Sequence, residues 1–336
     1  MKKKNKILVT GSCGFIGFHV AKKLLEDNYQ VFGIDNLNEY YSTELKKKRN
    51  SLLLKFKNYK FNKIDICKKN YLFNYFKKKK FDYVVHLAAQ AGVRHSIFNP
   101  DIYINSNLVG FFNVIDCSRI FKIKHFIYAS SSSVYGLNKK KIFLETDNTD
   151  HPSSLYGATK KSNEIIAHSY SQIYKLPTTG LRFFTVYGPY GRPDMSLYIF
   201  TKAIFEKKQF NIFNYGKMKR SFTYIDDIVN SVCKLIFYPP RNNLNKRIIS
   251  GTSTAPYEIY NLGNPKDVKL LNYVSILESI IGIKGKKKLT KIQAGDVMST
   301  KADISKLRKK FKIMFKVQIF NGIKKFTEWY KFFNKI

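Results

Sequence analysis

The segment Lys6-Ile7-Leu8-Val9-Thr10-Gly11-Ser12-Cys13-Gly14-Phe15-Ile16-Gly17, continuing to Gln30-Val31-Phe32-Gly33-Ile34-Asp35, decides the fold. Lys6–Thr10 reads as a short buried strand, 18–28 as a helix, and Gln30–Ile34 as a second strand ending at Asp35. The glycines between them each have a mechanical task. Gly11 permits a tight turn, Gly14 lets a pyrophosphate approach the backbone, and Gly17 lets helix and strand pack closely. The helix N-terminus then faces the phosphates. Asp35, eighteen residues after Gly17, is placed to accept both hydroxyls of an adenosine ribose. A carboxylate at that point repels a 2′-phosphate, so NAD is expected over NADP.

Outward from this unit the alternation continues. Strands are expected at 59–63, 83–87, 124–128 and 178–184, followed by Asp65-Ile66, Ala88-Ala89-Gln90, Ala129 with Ser130–Ser133, and a loop. Short apolar strands alternating with helical segments give an α/β fold, a doubly wound parallel sheet of the Rossmann kind. Ligand groups belong at the carboxyl ends of such strands. The cofactor contacts expected from those ends are Gly11, Gly14, Phe15, Ile16, Gly17, Asp35, Asn36, Asp65, Ile66, Leu87, Ala88 and Ala89.

Beyond Gly188 the pattern loosens. A loop at 189–194 precedes a helix at 198–207, a strand at 211–215 and the basic segment Gly216–Arg220. A helix is expected from Tyr224-Ile225-Asp226-Asp227 to Phe237, with its acids at the positive end. A polar loop at 239–255, a strand at 258–262, a helix at 270–281, Gly295-Asp296-Val297, and helices at 303–311 and 321–332 complete the reading. The expected organisation is a nucleotide-binding domain over 1–185 with a return contribution from about 223–262. Residues 186–222 and 263–336 form a smaller C-terminal α/β substrate lobe. No internal repeat is visible.

The chain has 336 residues, enough to bury a large core without staples. Cys13, Cys67, Cys117 and Cys233 are far apart, with no disulfide framework and no zinc spacing, which fits a reducing cytosol and a cytoplasmic location. The lysine-rich start followed by Ile7-Leu8-Val9 resembles the opening of a signal peptide, but Thr10-Gly11-Ser12 interrupts it and a buried first strand explains it better. No apolar run reaches eighteen residues, so no membrane span is expected. The net charge of +37 invites a nucleic-acid reading. Lysine far outnumbers arginine, however, and its short runs are spread along the whole chain, as AT-rich coding produces on a solvated surface. A general attraction for anionic ligands follows, without a specific nucleic-acid partner.

Tyr156 and Lys160 stand four residues apart in a segment that reads as helix, one side chain above the other. A free tyrosine ionises near pH ~10 and is a poor base at neutrality. A neighbouring ammonium favours the phenolate and brings that value toward a working range. By itself this spacing is weak evidence in a chain so rich in both residues.

Several segments together carry a resemblance: Gly11–Gly17, 35–38, 86–94 (HLAAQAGVR), 129–136 (ASSSSVYG), 155–163, 181–195 (LRFFTVYGPYGRPDM), 217–227 (KMKRSFTYIDD) and 295–297. They span nearly the full chain in order. The chain resembles the extended short-chain dehydrogenase/reductase superfamily and, within it, the nucleotide-sugar 4-epimerases that act on a UDP-hexuronate. Ala294 stands where proline is expected, and His95 where an aromatic is usual.

The resemblance implies that Tyr156, as phenolate, takes the proton of the sugar 4′-hydroxyl, and that Lys160 holds the nicotinamide ribose. NAD is a bound cofactor regenerated in each turnover. Ser131 matches the hydroxyl that bonds the substrate oxygen, with Ser132 as the alternative register. Related dehydratases and decarboxylases carry acids where Ser132 and Ser133 stand, which argues against both reactions. Thr185 and Arg192 match a pair associated with the hexuronate carboxylate, where arginine can bind both position and plane. On this reading a neutral sugar leaves the guanidinium unpaired, at a cost of roughly 3–5 kcal/mol. Arg220 is expected at the UDP diphosphate, and Asp296 near that contact or the uridine ribose. Arg94 stays open between shaping the sugar pocket and a structural pair. Asn107 is expected to support the active-site helix, and His86 to be packed in the sheet. A homodimer is implied, packed through helices at 102–121 and 156–174. The runners-up are 4-epimerisation of a neutral or N-acetylated UDP-hexose, then decarboxylation of the uronate, and in another class an inactive RNA-binding relative.

Overall fold

The computed structural model describes residues 5–292 and 299–336. In chain order its first half contains β1 (Lys6–Thr10), α1 (Phe15–Glu26), β2 (Gln30–Asp35), α2 (Thr43–Leu53), β3 (Tyr59–Lys63), α3 (Lys69–Lys79) and β4 (Tyr83–His86). There follow α4 (His95–Phe98), α5 (Pro100–Tyr103), a π-helical stretch Ile104–Val109 and α6 (Gly110–Ile120). Next come β5 (His125–Ser131), α7 (Leu155–Tyr174), β6 (Thr178–Phe183) and β7 (Thr185–Tyr187). The remainder is α8 (Ser196–Phe205), β8 (Gln209–Ile212), β9 (Lys219–Arg220), β10 (Phe222–Tyr224), α9 (Ile225–Ile236), β11 (Tyr257–Leu262), β12 (Val268–Lys269), α10 (Leu270–Ile281), β13 (Lys286–Leu289), β14 (Ser299–Thr300), α11 (Ser305–Phe311) and α12 (Ile319–Asn334).

Seven parallel strands form the main sheet in the order β11-β6-β5-β4-β1-β2-β3. Helices cover both faces, so the central strands are apolar on both sides: Ile7, Leu8 and Val9 of β1 and Val84 and Val85 of β4 are fully buried. The chain winds outward from β1 through β2 to β3. It then returns to β4 on the other side of β1, so the switch point lies between β1 and β4, where a doubly wound sheet opens a crevice. After the smaller elements β7–β10, α9 packs against α1 and β11 rejoins the large sheet beside β6. Small sheets β12-β9-β14, β10-β7 and β13-β8 lie outside it.

Boundaries differ from expectation where the backbone, and not the apolar pattern, sets them. Helix α1 starts at Phe15 because Gly14, with extended φ/ψ, already serves as its N-cap. Strand β5 runs on to Ser131, carried by parallel pairing of Ser130 and Ser131 with Arg182 and Phe183. Strand β8 ends at Ile212, before the expected 215, because Asn214 and Tyr215 both take φ near +50°. Among the described residues no helix is long and apolar enough to cross a membrane, and none form a metal-ligating cluster.

Candidate active site

The carboxyl ends of β1, β2, β4, β5 and β6 open into one cleft of about 390 Å³, within the ~300–1,000 Å³ of ordinary small-molecule sites. Its floor is the glycine turn. Gly11 has φ +70°, and a Cβ there would lie 2.7 Å from the Ala88 nitrogen. A Cβ on Gly17 would lie 2.0 Å from the Gly11 carbonyl oxygen, so this glycine lets α1 close onto the turn. Phe15, Ile16, Leu87, Ala88 and Ala89 line the same end.

At the end of β2, Asp35 accepts from the N–H of Cys13 (3.1 Å) and of Leu37 (2.8 Å). Burial pushes its carboxyl up, against these bonds and the charges of Lys46 and Arg49. Asn36 donates to Asp65 (3.3 Å), which also accepts the Cys67 N–H; Asn36, Asp65 and Ile66 all face the cleft. A bare glycine turn at a helix start, with a partly buried carboxylate across it, fits a dinucleotide: amides for the pyrophosphate and an anion for the ribose hydroxyls.

On the opposite wall stand Tyr156 and Lys160 of α7. Ser154 caps this helix by accepting from the Gly157 N–H at 3.1 Å. Asn107 spans from the Gln90 backbone to Thr159 (3.1 Å), tying the π-helical stretch to α7 as expected. His86 is buried in the sheet, 2.9 Å from the Thr10 hydroxyl. Glu164, one helical turn beyond Lys160, pairs with Arg182 of β6 (2.8 and 2.9 Å) and accepts from Ser130 (2.6 Å). That buried pair locks α7 onto the sheet.

The electrostatics of the pair show what burial does to each group and what opposes it. Lys160 donates to the Ala129 carbonyl (2.9 Å), and burial pushes its ammonium down to about 8. Burial likewise pushes the Tyr156 phenol up, and it is a hydrogen bond from Ser131 and the positive charge of Arg192 that pull it back. Of the two serine registers, Ser131 is the one bonded to Tyr156. It also accepts from the Ser133 N–H (3.1 Å), while Ser132 lines the cleft beside it.

Arg192 also lines the cleft, near Thr185 at the start of β7. It is not an unpaired cation waiting for a ligand. Its Nε and Nη2 donate to both oxygens of Asp194, at 2.9 and 2.6 Å, and Tyr40 donates to the same carboxylate at 2.9 Å. The penalty expected for a neutral sugar therefore does not apply as stated, because the guanidinium keeps a partner. Arg192-Pro193-Asp194 sets opposite charges two residues apart, which is the only trace of this pair in the sequence.

The Arg192 loop is held from below. Buried Arg49 of α2 donates to the carbonyls of Cys13 (2.8 Å) and Tyr190 (2.6 Å), joining the glycine turn to this loop. His19, held neutral by burial that lowers it to about 4, donates to the Pro189 carbonyl (2.9 Å). Neither residue carries a motif that names this task. Gln90 and Met195, within the segments 86–94 and 181–195, also line the cleft, as do Tyr40 and Lys46, which carry no sequence signal of their own.

Two expected substrate residues do not line the cleft. Arg94 is exposed, its guanidinium 4.3 Å from the Phe213 ring centroid. Arg220 sits in β9 and donates to the Lys219 carbonyl (2.9 Å). Asp296, with Ala294, Gly295 and Val297, lies outside the described residues.

Residues 7–249, which hold this cleft, match the family described as NAD dependent epimerase/dehydratase. The chain belongs to that family. As an epimerase/dehydratase-family enzyme it uses NAD, and the cradle described above is where NAD fits. A protein of Rhizobium meliloti named "Probable UDP-glucuronate 4-epimerase" is 40% identical over 97% of this chain and 96% of its own length. The crystal structure of UDP-glucuronic acid 4-epimerase from Bacillus cereus, with UDP-glucuronic acid and NAD, superposes with a TM-score of 0.87 at 33% identity, covering 98% of this chain and 99% of the other. A UDP-glucose 4-epimerase from Thermotoga maritima, solved with UDP-glucose, reaches a TM-score of 0.83 at 29% identity over 98% of this chain and 99% of its own. The epimerase fold is thus shared across uronate and neutral-sugar relatives.

Proposed function

We propose that this NAD-dependent nucleotide-sugar 4-epimerase interconverts UDP-glucuronate and UDP-galacturonate. The observation that carries the reading is the convergence of Tyr156, Ser131, Thr185 and Arg192 on one cleft with the glycine cradle. Bound NAD supplies the hydride acceptor and donor at the sugar C4 and leaves each turnover unchanged. Tyr156 takes the proton of the 4′-hydroxyl, and the Ser131 hydroxyl and Arg192 charge hold the phenolate that does so. Lys160, fixed by the Ala129 carbonyl, orients the ribose side of the site. After the 4-keto sugar turns, the same Tyr156 returns the proton on reduction of the other face.

A 4-keto hexuronate is a β-keto acid and loses CO₂ when its carboxyl bond aligns with the carbonyl π system. Thr185 and Arg192 hold the carboxylate out of that alignment. Ser132 and Ser133 supply no carboxylate where elimination or enol chemistry needs one. Arg220 and Asp296 are proposed for the diphosphate and uridine side, and Arg94 for the rim.

Purified protein given UDP-glucuronate is expected to form UDP-galacturonate without added NAD and without net NADH, read by NMR of the sugar nucleotides. Formation of UDP-xylose and CO₂ would refute the holding of the carboxylate. The competing reading, epimerisation of a neutral UDP-hexose, is favoured by one observation: Asp194 already balances Arg192. Replacing Arg192 by Ala removes one support of the Tyr156 phenolate for either sugar and the carboxylate contact for the uronate alone, so turnover of the uronate is expected to fall far more than that of a neutral UDP-hexose.

A further inference from the structure

Arg192 is the group that the proposed uronate must engage, yet its best donors are taken. Asp194 binds them side-on through two oxygens, and one of these is also held by Tyr40. Tyr40 comes from the loop after β2, on the cofactor side, and its ring packs edge-on against His95 at 4.6 Å. Both charges stay partly open to solvent, with the Arg192 side chain 21% and that of Asp194 28% exposed. Arg192 and Tyr40 line the cleft. The pair closes over only two residues within one loop, and its arginine backbone is fixed from below by Arg49 through the Tyr190 carbonyl. The guanidinium can therefore change partner while its Cα stays in place.

We infer that Asp194 is a specificity-determining positioning residue, an internal carboxylate that holds Arg192 in the empty cleft and exchanges with the carboxylate of a uronate substrate. The inference rests on the uronate reading above. When a hexuronate enters, Arg192 turns its fork to the substrate, and Asp194 retains the Tyr40 hydroxyl, so neither carboxylate is stranded. When a neutral sugar enters, Arg192 stays on Asp194 and nothing is gained. Discrimination comes from an exchange of one carboxylate for another, and not from the desolvation of a bare cation. The apparent affinity for a uronate is then reduced by the fraction of time that Arg192 is free, as for any ligand whose competent state is only partly populated. A partly exposed, bidentate pair of this kind is worth at least the upper end of surface ion pairs, which makes that reduction about fivefold or more.

The decisive measurement has a sign that a scaffolding role does not produce. In Asp194→Asn the competing charge is gone and the hydrogen-bonding shape is kept. The NAD-loaded variant is expected to show a KM for UDP-glucuronate about fivefold lower than wild type with kcat little changed, and weaker binding of UDP-glucose, which now covers a guanidinium that has no anion. Asp194→Ser is a second variant with the same expectation if the first folds poorly. In wild-type protein, the Arg192 Nε–H resonance is expected to shift on addition of UDP-glucuronate and to stay in place with UDP-glucose. Should the KM for the uronate rise in both variants, or the resonance respond equally to both sugars, exchange is overturned and Asp194 merely shapes the loop. Absence of any wild-type turnover of UDP-glucuronate is a different result: it overturns the functional reading, and this inference with it.

Discussion

In the proposed reaction Tyr156 must lose its own proton before it can take one from a carbinol, and burial works against that loss. Two groups oppose the burial: the Ser131 hydroxyl, which stabilises the phenolate by hydrogen bonding, and the Arg192 guanidinium, which does so by charge. The sign of the consequence is fixed. A rate that needs phenolate rises with pH through the Tyr156 pKa, so removing a stabilising donor moves that rise to higher pH. Ser131→Ala is therefore expected to shift the acid limb of the kcat profile upward and to lower kcat at neutral pH by about 10²-fold, the lower range for one acid–base contribution. An unmoved limb would deny Ser131 this role. Tyr156→Phe is expected to abolish epimerisation while NAD remains bound, since the cradle of Gly11, Gly14 and Gly17 is formed by other elements; the absorbance of bound cofactor after denaturation checks this.

At the scale of elements, the active-site helix α7 is held by a buried ion pair. Glu164 and Arg182 are 3% and 1% exposed in their side chains, and Ser130 and Tyr135 complete their hydrogen bonds. Removing one partner strands the other charge in the interior. Glu164→Ala is expected to destabilise the protein by about 3–5 kcal/mol, read from the shift of the urea midpoint, and to misplace Tyr156 in the process. Burial disfavours the Glu164 charge, but Arg182 and Ser130 more than offset it, so the folded carboxyl sits below its usual range. Its contribution to stability is present above the unfolded carboxylate value and lost as pH falls through the folded one. How far elements were legible depended on what bounds them. Helix α10 occupies the expected Leu270–Ile281 because its apolar stripe is local and Gly282, at φ +80°, ends it. Strand β5 outran its apolar residues because pairing with β6 carried the polar Ser130 and Ser131 into the sheet. That extension delivers Ser131 to Tyr156, and no local pattern encodes it.

For the whole molecule, the outer faces of the helices from α4 to α7 leave apolar side chains exposed, among them Phe98 (80%), Ile165 (59%) and Ile173 (64%). Helices α6 and α7 pack side by side, so Phe112 and Ile165 lie on neighbouring elements of one surface. We propose that this surface pairs two copies of the chain. Sedimentation is expected to give twice the 39.2 kDa of one chain, and Phe112→Glu with Ile165→Glu to give the single mass. The net charge of +37 belongs to this scale as well. Retention of RNA at low salt is expected to vanish by about 0.2 M salt, because scattered lysines bind through counterion release and recognise no sequence. Binding that survives at that salt would restore the nucleic-acid reading.

The sequence by itself determined the βαβ nucleotide unit and the Tyr156–Lys160 step, because each is a matter of local geometry: a glycine turn at φ +70° and a spacing of four on a helix. It also shows serines at 132 and 133, where the resemblance implies that dehydratases and decarboxylases carry acids. The tertiary structure alone decided that Ser131 and Arg192 stand in one cleft with the Tyr156 phenol, that Arg49 ties the glycine turn to the Arg192 loop, and that Asp194 and Tyr40 hold Arg192. Most of these contacts join residues far apart in the chain. Even Asp194, two residues from Arg192, needs Tyr40 from 154 positions away to complete its bonds. A sequence shows which charges exist; only the fold shows which of them have already been answered.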